Sequence, residues 1–110
     1  MATIINITPH PLNIKVGEET LTIPPSGVIA RLSVTHESQP SINIDGVEVP
    51  VYKTKFGPIE NLPKPQKGFY YVASALVANA ANRSDVLSPG ELIRDNQGNV
   101  IGAKGLTAYK

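Results

Sequence analysis

Apolar and polar residues alternate along the first half of the chain, and this alternation predicts β-strands. Leu12, Ile14 and Val16 are separated by Asn13 and Lys15, which gives the period of two typical of a strand with one buried face. The same period continues over residues 28–34, whose apolar members include Val28, Ala30, Leu32 and Val34. We expect these apolar residues of both segments to belong to the core.

A β-hairpin is predicted at Asp45 and Gly46, because both residue types tolerate the positive φ that a two-residue type I′ turn requires. Short alternating segments flank this pair on both sides. The following Pro50 has no amide hydrogen to donate to a strand ladder. Residues 51–56 are therefore expected at a sheet edge or after a bulge, and an exposed edge can bind a partner.

A proline-rich connection and a helix are predicted next. Three prolines within residues 57–68 predict a stiff link without regular structure. Residues 75–81 consist mainly of helix formers, and Ser74 before them suits the N-cap position. Asn82 fits the C-terminal end of this short helix, since asparagine tolerates the left-handed conformation.

The C-terminal part is predicted to hold a second helical turn and a closing hairpin. Ser88, Pro89 and Glu91 form a capping-box pattern, and free amides at such a turn can bind an anion. Apolar segments at residues 92–94 and 100–101 flank a polar loop of about five residues. The predicted fold class is α+β, a mainly antiparallel β-sheet with one or two short C-terminal helices and a closing hairpin.

Composition limits the partners. A chain of 110 residues fits one small β-rich domain over residues 1–110. The net charge is +1 with dispersed charges, which argues against long nucleic acid or an anionic membrane. Without cysteine, and with two distant histidines, no disulfide or metal site is expected. Because neither a signal-peptide pattern nor a membrane-length apolar run is present, we expect a cytoplasmic protein.

No catalytic arrangement is recognisable in the sequence. His10 lies between two prolines and His36 ends a strand, so each is interpreted as a surface residue. Carboxylates of the first half fall in turns or on exposed strand faces, and no phosphate-binding glycine motif is present. Binding is therefore favoured over catalysis.

Candidate binding residues begin with an aromatic strand. Phe69 and Tyr71 share one face of the predicted strand and Tyr70 takes the other, so at least one ring is expected to be accessible for stacking. Aromatic residues at a strand start also pack in cores, and this alternative stays open.

Polar residues follow the aromatic strand. Asn79 and Asn82 offer hydrogen bonds to a base edge, and Arg83 and Arg94 offer guanidinium groups to a diphosphate. Asp85 completes the set of ligand-binding candidates. In the structural alternative, Arg83 and Asp85 pair with each other or complement a helix end, and Arg94 pairs with a neighbouring carboxylate. Taken together, these residue types suit a small nucleotide.

Segments over most of the chain resemble a family of small phage and bacterial proteins. They are NITPHP at 6–11, IPPSG at 23–27, GFYYVASALVA at 68–78, RSDVLSP at 83–89 and IRDNQGNVIGAKGL at 93–106. Within that family, the chain is most similar to the first type of Thoeris anti-defence protein. Such phage proteins capture the cyclic ADP-ribose signal made by bacterial TIR enzymes, without cleaving it, and thereby silence the host's immune response.

The resemblance implies an antiparallel β-sheet with short C-terminal helices, assembly into dimers or trimers of dimers, and pockets lined by two chains. By matching positions, it implies that Phe69 stacks on adenine, that Asn79 makes a polar contact and that Arg94 lies on the other side of the ring. Either Lys15 or Arg31 is expected to add a basic contact.

Three hypotheses follow for the function. The first is a protein that sequesters a cyclic ADP-ribose-type nucleotide without a cofactor, in the host cytoplasm if the protein is phage-encoded. The second is a small structural or protein-interaction module, for example a phage-encoded inhibitor that docks through the edge strand at 51–56. The third is an enzyme acting on a nucleotide, which the lack of a paired acid and base disfavours.

Overall fold

Two β-structures of different character make up the computed structural model, which describes residues 2–110. A six-stranded sheet with helix α1 forms the body, and a two-stranded hairpin forms the arm. The elements are β1 (Thr3–Asn6), β2 (Leu12–Val16), β3 (Glu19–Ile23), β4 (Arg31–Ile44), β5 (Val47–Glu60), β6 (Phe69–Val72), α1 (Ala75–Ala81), β7 (Val86–Arg94) and β8 (Val100–Ala108). The coarse prediction of an α+β fold rich in strands is confirmed, with one helix in residues 2–110.

Strand pairing is largely antiparallel, as predicted, but the body sheet is mixed. Its strand order is β1-β6-β7-β8-β2-β3. Strand β6 pairs in parallel with both β1 and β7, and β2 pairs in parallel with β8. The pairs β7–β8 and β2–β3 are antiparallel. Turn signals in a sequence predict only antiparallel pairing between neighbouring strands. They could therefore not predict these parallel pairs, whose strands are distant in sequence.

Helix α1 connects β6 to β7 in a β-α-β unit. Ser74 caps its N-terminus, where the Ser74 Oγ accepts a hydrogen bond of 3.3 Å from the Val77 amide. Asn82 ends the helix in the left-handed region with a φ of 48°, and its amide donates to the Ala78 carbonyl. The predicted bounds and both caps are confirmed.

Within residues 2–110, no helix has the length and apolarity needed to cross a membrane.

The core lies between the body sheet and α1. Its buried members are Ile7, Ala30, Tyr71, Ala73, Val77, Ala78 and Val86. On β6, Tyr71 is buried and Phe69 is half-buried against this core, whereas Tyr70 is 39% exposed. The predicted alternation of the aromatic strand is therefore confirmed, and its accessible ring is Tyr70.

The core predicted for the first half is only partly correct. Its buried or half-buried members are Leu12, Ile14, Ala30 and Leu32. Its exposed members are Val16, Val28 and Val34. Beyond Leu32, β4 leaves the body, so the alternation continues along a strand that has no core beneath it.

The arm is a hairpin whose two strands have 14 residues each. Its predicted turn is confirmed, with φ values of 51° at Asp45 and 84° at Gly46. At its base, Leu32 and Ile59 pack against the core. Beyond the base, Val51 is half-buried and the other large apolar residues are exposed; they are Val34, Ile42, Ile44, Val47, Val49, Tyr52 and Phe56. Each arm strand pairs only with the other among the described strands, so residues 51–56 lie at an edge, as predicted.

The helical turn predicted at residues 88–91 is wrong, because these residues lie inside β7. Ser88 is buried, and its Oγ shares a hydrogen bond of 2.9 Å with the Tyr109 hydroxyl. Gly90 lies against the β8 backbone, where an added Cβ would stand 2.9 Å from the Gly105 carbonyl oxygen. Pairing with β8 overrides the local capping pattern, so the expected anion site at free helix amides does not form.

Two loop predictions have different outcomes. The irregular link is shorter than predicted and covers residues 61–68, because β5 continues through Pro58 to Glu60. Proline is tolerated there since β5 has an unpaired edge. The closing hairpin is confirmed, with the five-residue loop 95–99 between β7 and β8.

Candidate functional site

A polar cleft lies where the proline-rich loop meets the loop between α1 and β7. It has a volume of about 380 Å³ and is lined by Pro65, Gln66, Lys67, Arg83, Ser84, Asp85 and Lys110. We call this set of residues the cleft. Two of the predicted site residues, Arg83 and Asp85, belong to it.

Arg83 is the fixed centre of the cleft. Its Nε donates to Asp85 Oδ1 at 2.9 Å, and its Nη2 donates to Asp85 Oδ2 at 2.6 Å. Its Nη1 donates to the Pro63 carbonyl oxygen at 3.0 Å. These bonds use three of the five N–H donors of a guanidinium group. The group is therefore held in one orientation and keeps further donors for a ligand.

The Arg83–Asp85 pair is partly shielded from solvent, with side chains 24% and 18% exposed. The hydrogen bonds from Arg83 hold the pKa of Asp85 below its ordinary value, against the opposing effect of burial. The same hydrogen bonds raise the pKa of Arg83. Both groups therefore stay ionised at neutral pH, and their charges offset each other.

The proline-rich loop is tied to the body from two sides. The buried Tyr71 donates its hydroxyl to the Lys64 carbonyl oxygen at 3.2 Å, and Arg83 holds the preceding carbonyl of Pro63. The Phe69 amide then donates to the Gln66 carbonyl at 3.1 Å, which closes the turn into β6. These bonds fix the loop backbone on both sides of Lys67 and place that residue at the cleft.

Two further cations give the cleft its charge. Lys67 and Lys110 are exposed, and neither forms an ion pair with any described carboxylate. Since Arg83 and Asp85 offset each other, the lining carries a net charge of about +2 from the side chains. Such a lining attracts a small molecule that carries two negative charges.

Three other predicted site residues lie on β6 and α1, outside the cleft lining. The Phe69 ring is half-buried against the core, which matches the packing alternative more closely than an open stacking platform. Asn79 is exposed on α1, and Asn82 is exposed at its C-terminal cap. Their roles in binding stay predictions.

Arg94 is far from Arg83 within one chain. It ends β7, whereas Asp85 immediately precedes β7, and a nine-residue strand spans about 27 Å. The Arg94 Nη1 donates to the Gly98 carbonyl at 2.9 Å in the closing hairpin. A pocket that used both arginines would need two chains.

Sequence reasoning missed Lys67 and Lys110. Neither residue belongs to a motif, and Lys67 lies in a loop where periodicity gives no information. Gly68 was the one local signal that the chain turns here, since glycine adopts positive φ freely. In the structure its φ is 82°, and the loop turns sharply into β6. Of the two alternatives for a basic contact from the first half, neither Lys15 nor Arg31 lines the cleft.

Comparisons of the chain with protein-family models, with curated proteins and with solved structures found no match. The chemistry of the cleft and the resemblance of the sequence segments are therefore what bears on function. Among residues 2–110, no three His, Asp or Glu side chains lie together in a metal-binding arrangement.

Proposed function

We propose that the protein binds a small nucleotide of the cyclic ADP-ribose type in the cleft and sequesters it unchanged. The observation that carries the proposal is that Lys67, Lys110 and the anchored Arg83 line one space. A cyclic ADP-ribose carries a diphosphate, and charge-assisted hydrogen bonds from lysine and arginine are the usual means of holding such a group. By removing this signal, the protein would act against TIR-based defence in the host cytoplasm.

The size and rigidity of the cleft support this ligand class. A volume of about 380 Å³ lies within the range of small-molecule sites, which is about 300 to 1,000 Å³. Arg83 is already oriented by Asp85 and Pro63, so little side-chain entropy is lost when it donates to a ligand. Preorganisation of this kind favours the tight binding that sequestration requires.

The state of Asp85 supports capture rather than turnover. It is the carboxylate that lines the cleft, and both of its oxygens accept hydrogen bonds from Arg83. Its lowered pKa makes it a weak proton acceptor at neutral pH. A ligand bound here would meet cations and hydrogen-bond donors but no poised general base.

A release experiment tests the proposal. The purified protein is incubated with cyclic ADP-ribose isomers, freed of unbound ligand by gel filtration and then denatured by heat. We expect the released isomer to be chemically intact by mass spectrometry. Release of a cleaved product would instead establish an enzyme, and absence of uptake for every isomer would refute nucleotide capture.

Matched lysine variants locate the binding site. Lys67→Gln and Lys110→Gln should each weaken binding about tenfold in calorimetry, because each removes one cation from the cleft. Lys53→Gln is the control, since Lys53 is also exposed but lies on β5 outside the cleft. Equal effects of all three substitutions would mean that only overall charge matters.

An interaction module is the alternative function, and the exposed arm favours it. Tyr52 and Phe56 on β5 are 61% and 56% exposed, next to an unpaired strand edge. An extended segment of another protein that pairs with this edge would cover both rings. Uptake of no nucleotide, together with β5 amides protected by a host protein, would select this alternative.

A further inference from the structure

The arm gives the chain more surface than a compact protein of its size exposes. The radius of gyration is 17.8 Å, whereas about 13 Å is expected for a compact chain of this length. The accessible surface is 7749 Å², whereas a folded monomer of 11.7 kDa exposes about 5,900 Å². The excess of about 1,900 Å² belongs to the arm, because beyond its base both faces of this two-stranded hairpin are open within residues 2–110.

One face of the arm continues the packing surface of the core outward. At the base, this face carries Leu32 and Ile59, which pack against the core. Farther out, side chains on the same face are 42%, 61% and 56% exposed; they belong to Val34, Tyr52 and Phe56. We call these three residues the inner face. It is an apolar surface that begins in the core and runs out beyond the body.

The inner face is self-complementary about Thr54. Tyr52 and Phe56 lie two residues on either side of Thr54, and the three side chains point to the same side of β5. A second arm that runs antiparallel over this face, Thr54 above Thr54, places Tyr52 of each chain over Phe56 of the other. The Thr54 hydroxyl and the His36 Nδ1 are hydrogen-bonded at 3.3 Å within one arm, so this polar row needs no partner from the second chain.

The opposite face of the arm is unsuited to the same contact. Its middle carries Glu37, Lys53 and Lys55, and the Glu37–Lys55 ion pair is exposed. Packing a second layer over these groups would remove several charges from water, at a high cost in free energy. The distribution of charge therefore selects the inner face.

We propose that two copies of the chain pack their arms antiparallel through the inner face. Covering one of the two open faces removes about half of the excess surface, about 900 Å² per chain and about 1,800 Å² in the dimer. This total lies within the range of about 1,200 to 2,000 Å² that specific interfaces bury, and aromatic residues are enriched at the centre of such interfaces. The inference concerns the arm and does not depend on the nucleotide.

Sedimentation velocity of the full chain over a wide concentration range tests the pairing of arms. We expect a reversible monomer–dimer equilibrium whose dissociation constant rises at least tenfold in Tyr52→Asp and in Phe56→Asp. Val47→Asp is the matched control, because Val47 is 62% exposed on the opposite face of the same arm. A wild-type protein that stays monomeric throughout would overturn the proposal and leave the arm open to another protein. An equal rise in all three variants would also overturn it.

Cross-linking tests the arrangement without disturbing the aromatic residues. The chain has no cysteine, so one introduced thiol per chain reports one distance. In Thr54→Cys the two thiols face each other between layers about 10 Å apart, within reach of a bismaleimide of about that length. Lys53→Cys is the control, since its thiols lie on the opposite faces and point away from each other. We expect a cross-linked dimer from Thr54→Cys alone. Equal cross-linking of both variants, or none of Thr54→Cys, would contradict packing through the inner face.

Discussion

The body and the arm share the same alternation of apolar and polar residues but differ in what lies beneath them. In the body, β7 packs on α1, and Val72 and Val86 are fully buried. In the arm, β4 and β5 pair only with each other, and Val47 remains 62% exposed. An isolated two-stranded hairpin is marginally stable in water, whereas a larger sheet with a covered face is stable by itself. The comparison separates a sheet with its own core from a hairpin that packs against that core only at its base.

The same difference separates the two candidate functions. The cleft needs fixed geometry, and the body supplies it through the hydrogen bonds of Arg83 and Tyr71 to the proline-rich loop. The arm has an exposed ion pair, Glu37–Lys55, whose side chains are 50% and 53% exposed. Such a pair adds little stability. The proposed ligand site therefore lies on the body, and the alternative interaction surface lies on the arm.

The largest expected effect comes from two isoleucines. Ile7→Ala should lower the free energy of unfolding by about 3 to 4 kcal/mol, because Ile7 is 1% exposed in the core and its loss leaves a cavity. Ile44→Ala should change it by less than about 0.5 kcal/mol in dilute, monomeric protein, because Ile44 is 52% exposed. Urea unfolding measures both values. Similar losses at the two positions would contradict the distinction between body and arm.

Two glycines provide the next comparison. Gly90→Ala should destabilise by about 3 kcal/mol, because its Cβ would press on the Lys104 and Gly105 carbonyl oxygens of β8. In the arm, the Cβ of Gly57→Ala would lie 3.1 Å from the Ser33 Cβ, so a shift of the β4 backbone by a few tenths of an ångström relieves the contact and the cost should stay below about 1 kcal/mol. Thermal unfolding of both variants checks this. A tolerated Gly90→Ala would show that β7 and β8 are spaced more widely.

The ion pairs sharpen the comparison further. Asp85→Asn should cost about 2 kcal/mol, because it weakens charged hydrogen bonds from the partly buried Arg83. Glu37→Gln in the arm should cost less than about 0.5 kcal/mol, because the Glu37–Lys55 pair is half-exposed. Chemical unfolding at neutral pH measures both losses.

The pH dependence follows from the lowered pKa of Asp85. Its stabilising contribution is fully present above the ordinary carboxyl pKa of about 4 and is lost as the pH falls through the lower pKa of the folded state. Melting temperatures below pH 5 should therefore fall more steeply for the wild type than for Asp85→Asn. Parallel pH profiles would mean that the pair does not contribute.

The smallest loss expected in the body is at the end of α1. Asn82→Ala should cost about 1 kcal/mol, because alanine is strained at the left-handed φ of 48°. Asn82→Gly is the matched control and should be close to neutral, since glycine adopts this conformation freely. If both variants melt like the wild type, the cap does not stabilise the helix. A nucleotide contact by Asn82 would appear separately, as weaker binding in both variants.

Local signals in the sequence were sufficient for elements that depend on their own residues. The caps Ser74 and Asn82, the turn at Asp45 and the five-residue loop at 95–99 all follow from conformational preferences within a few residues. The strand at residues 88–91 did not follow, because its partner β8 decides it. The conformational preference of a short segment is overridden where a neighbouring strand offers backbone hydrogen bonds.

The burial of side chains and the composition of the cleft depend on contacts between segments that are distant in sequence. Val34 belongs to the same alternating pattern as Leu32, yet it is exposed because β4 has already left the body. In the site, the closeness of Arg83 and Asp85 follows from their spacing of two residues. Lys67 joins them only through the fold of the proline-rich loop, so no pattern in the sequence predicts it.

Hydrogen–deuterium exchange of the dilute protein, with and without a cyclic ADP-ribose isomer, tests the division of roles most directly. We predict that the ligand slows exchange of amides in residues 64–69 and 83–86, which surround the cleft, and leaves those of residues 42–49 at the outer end of the arm unchanged. Ligand-induced protection confined to the arm, or an unchanged cleft at saturating ligand, would contradict the account.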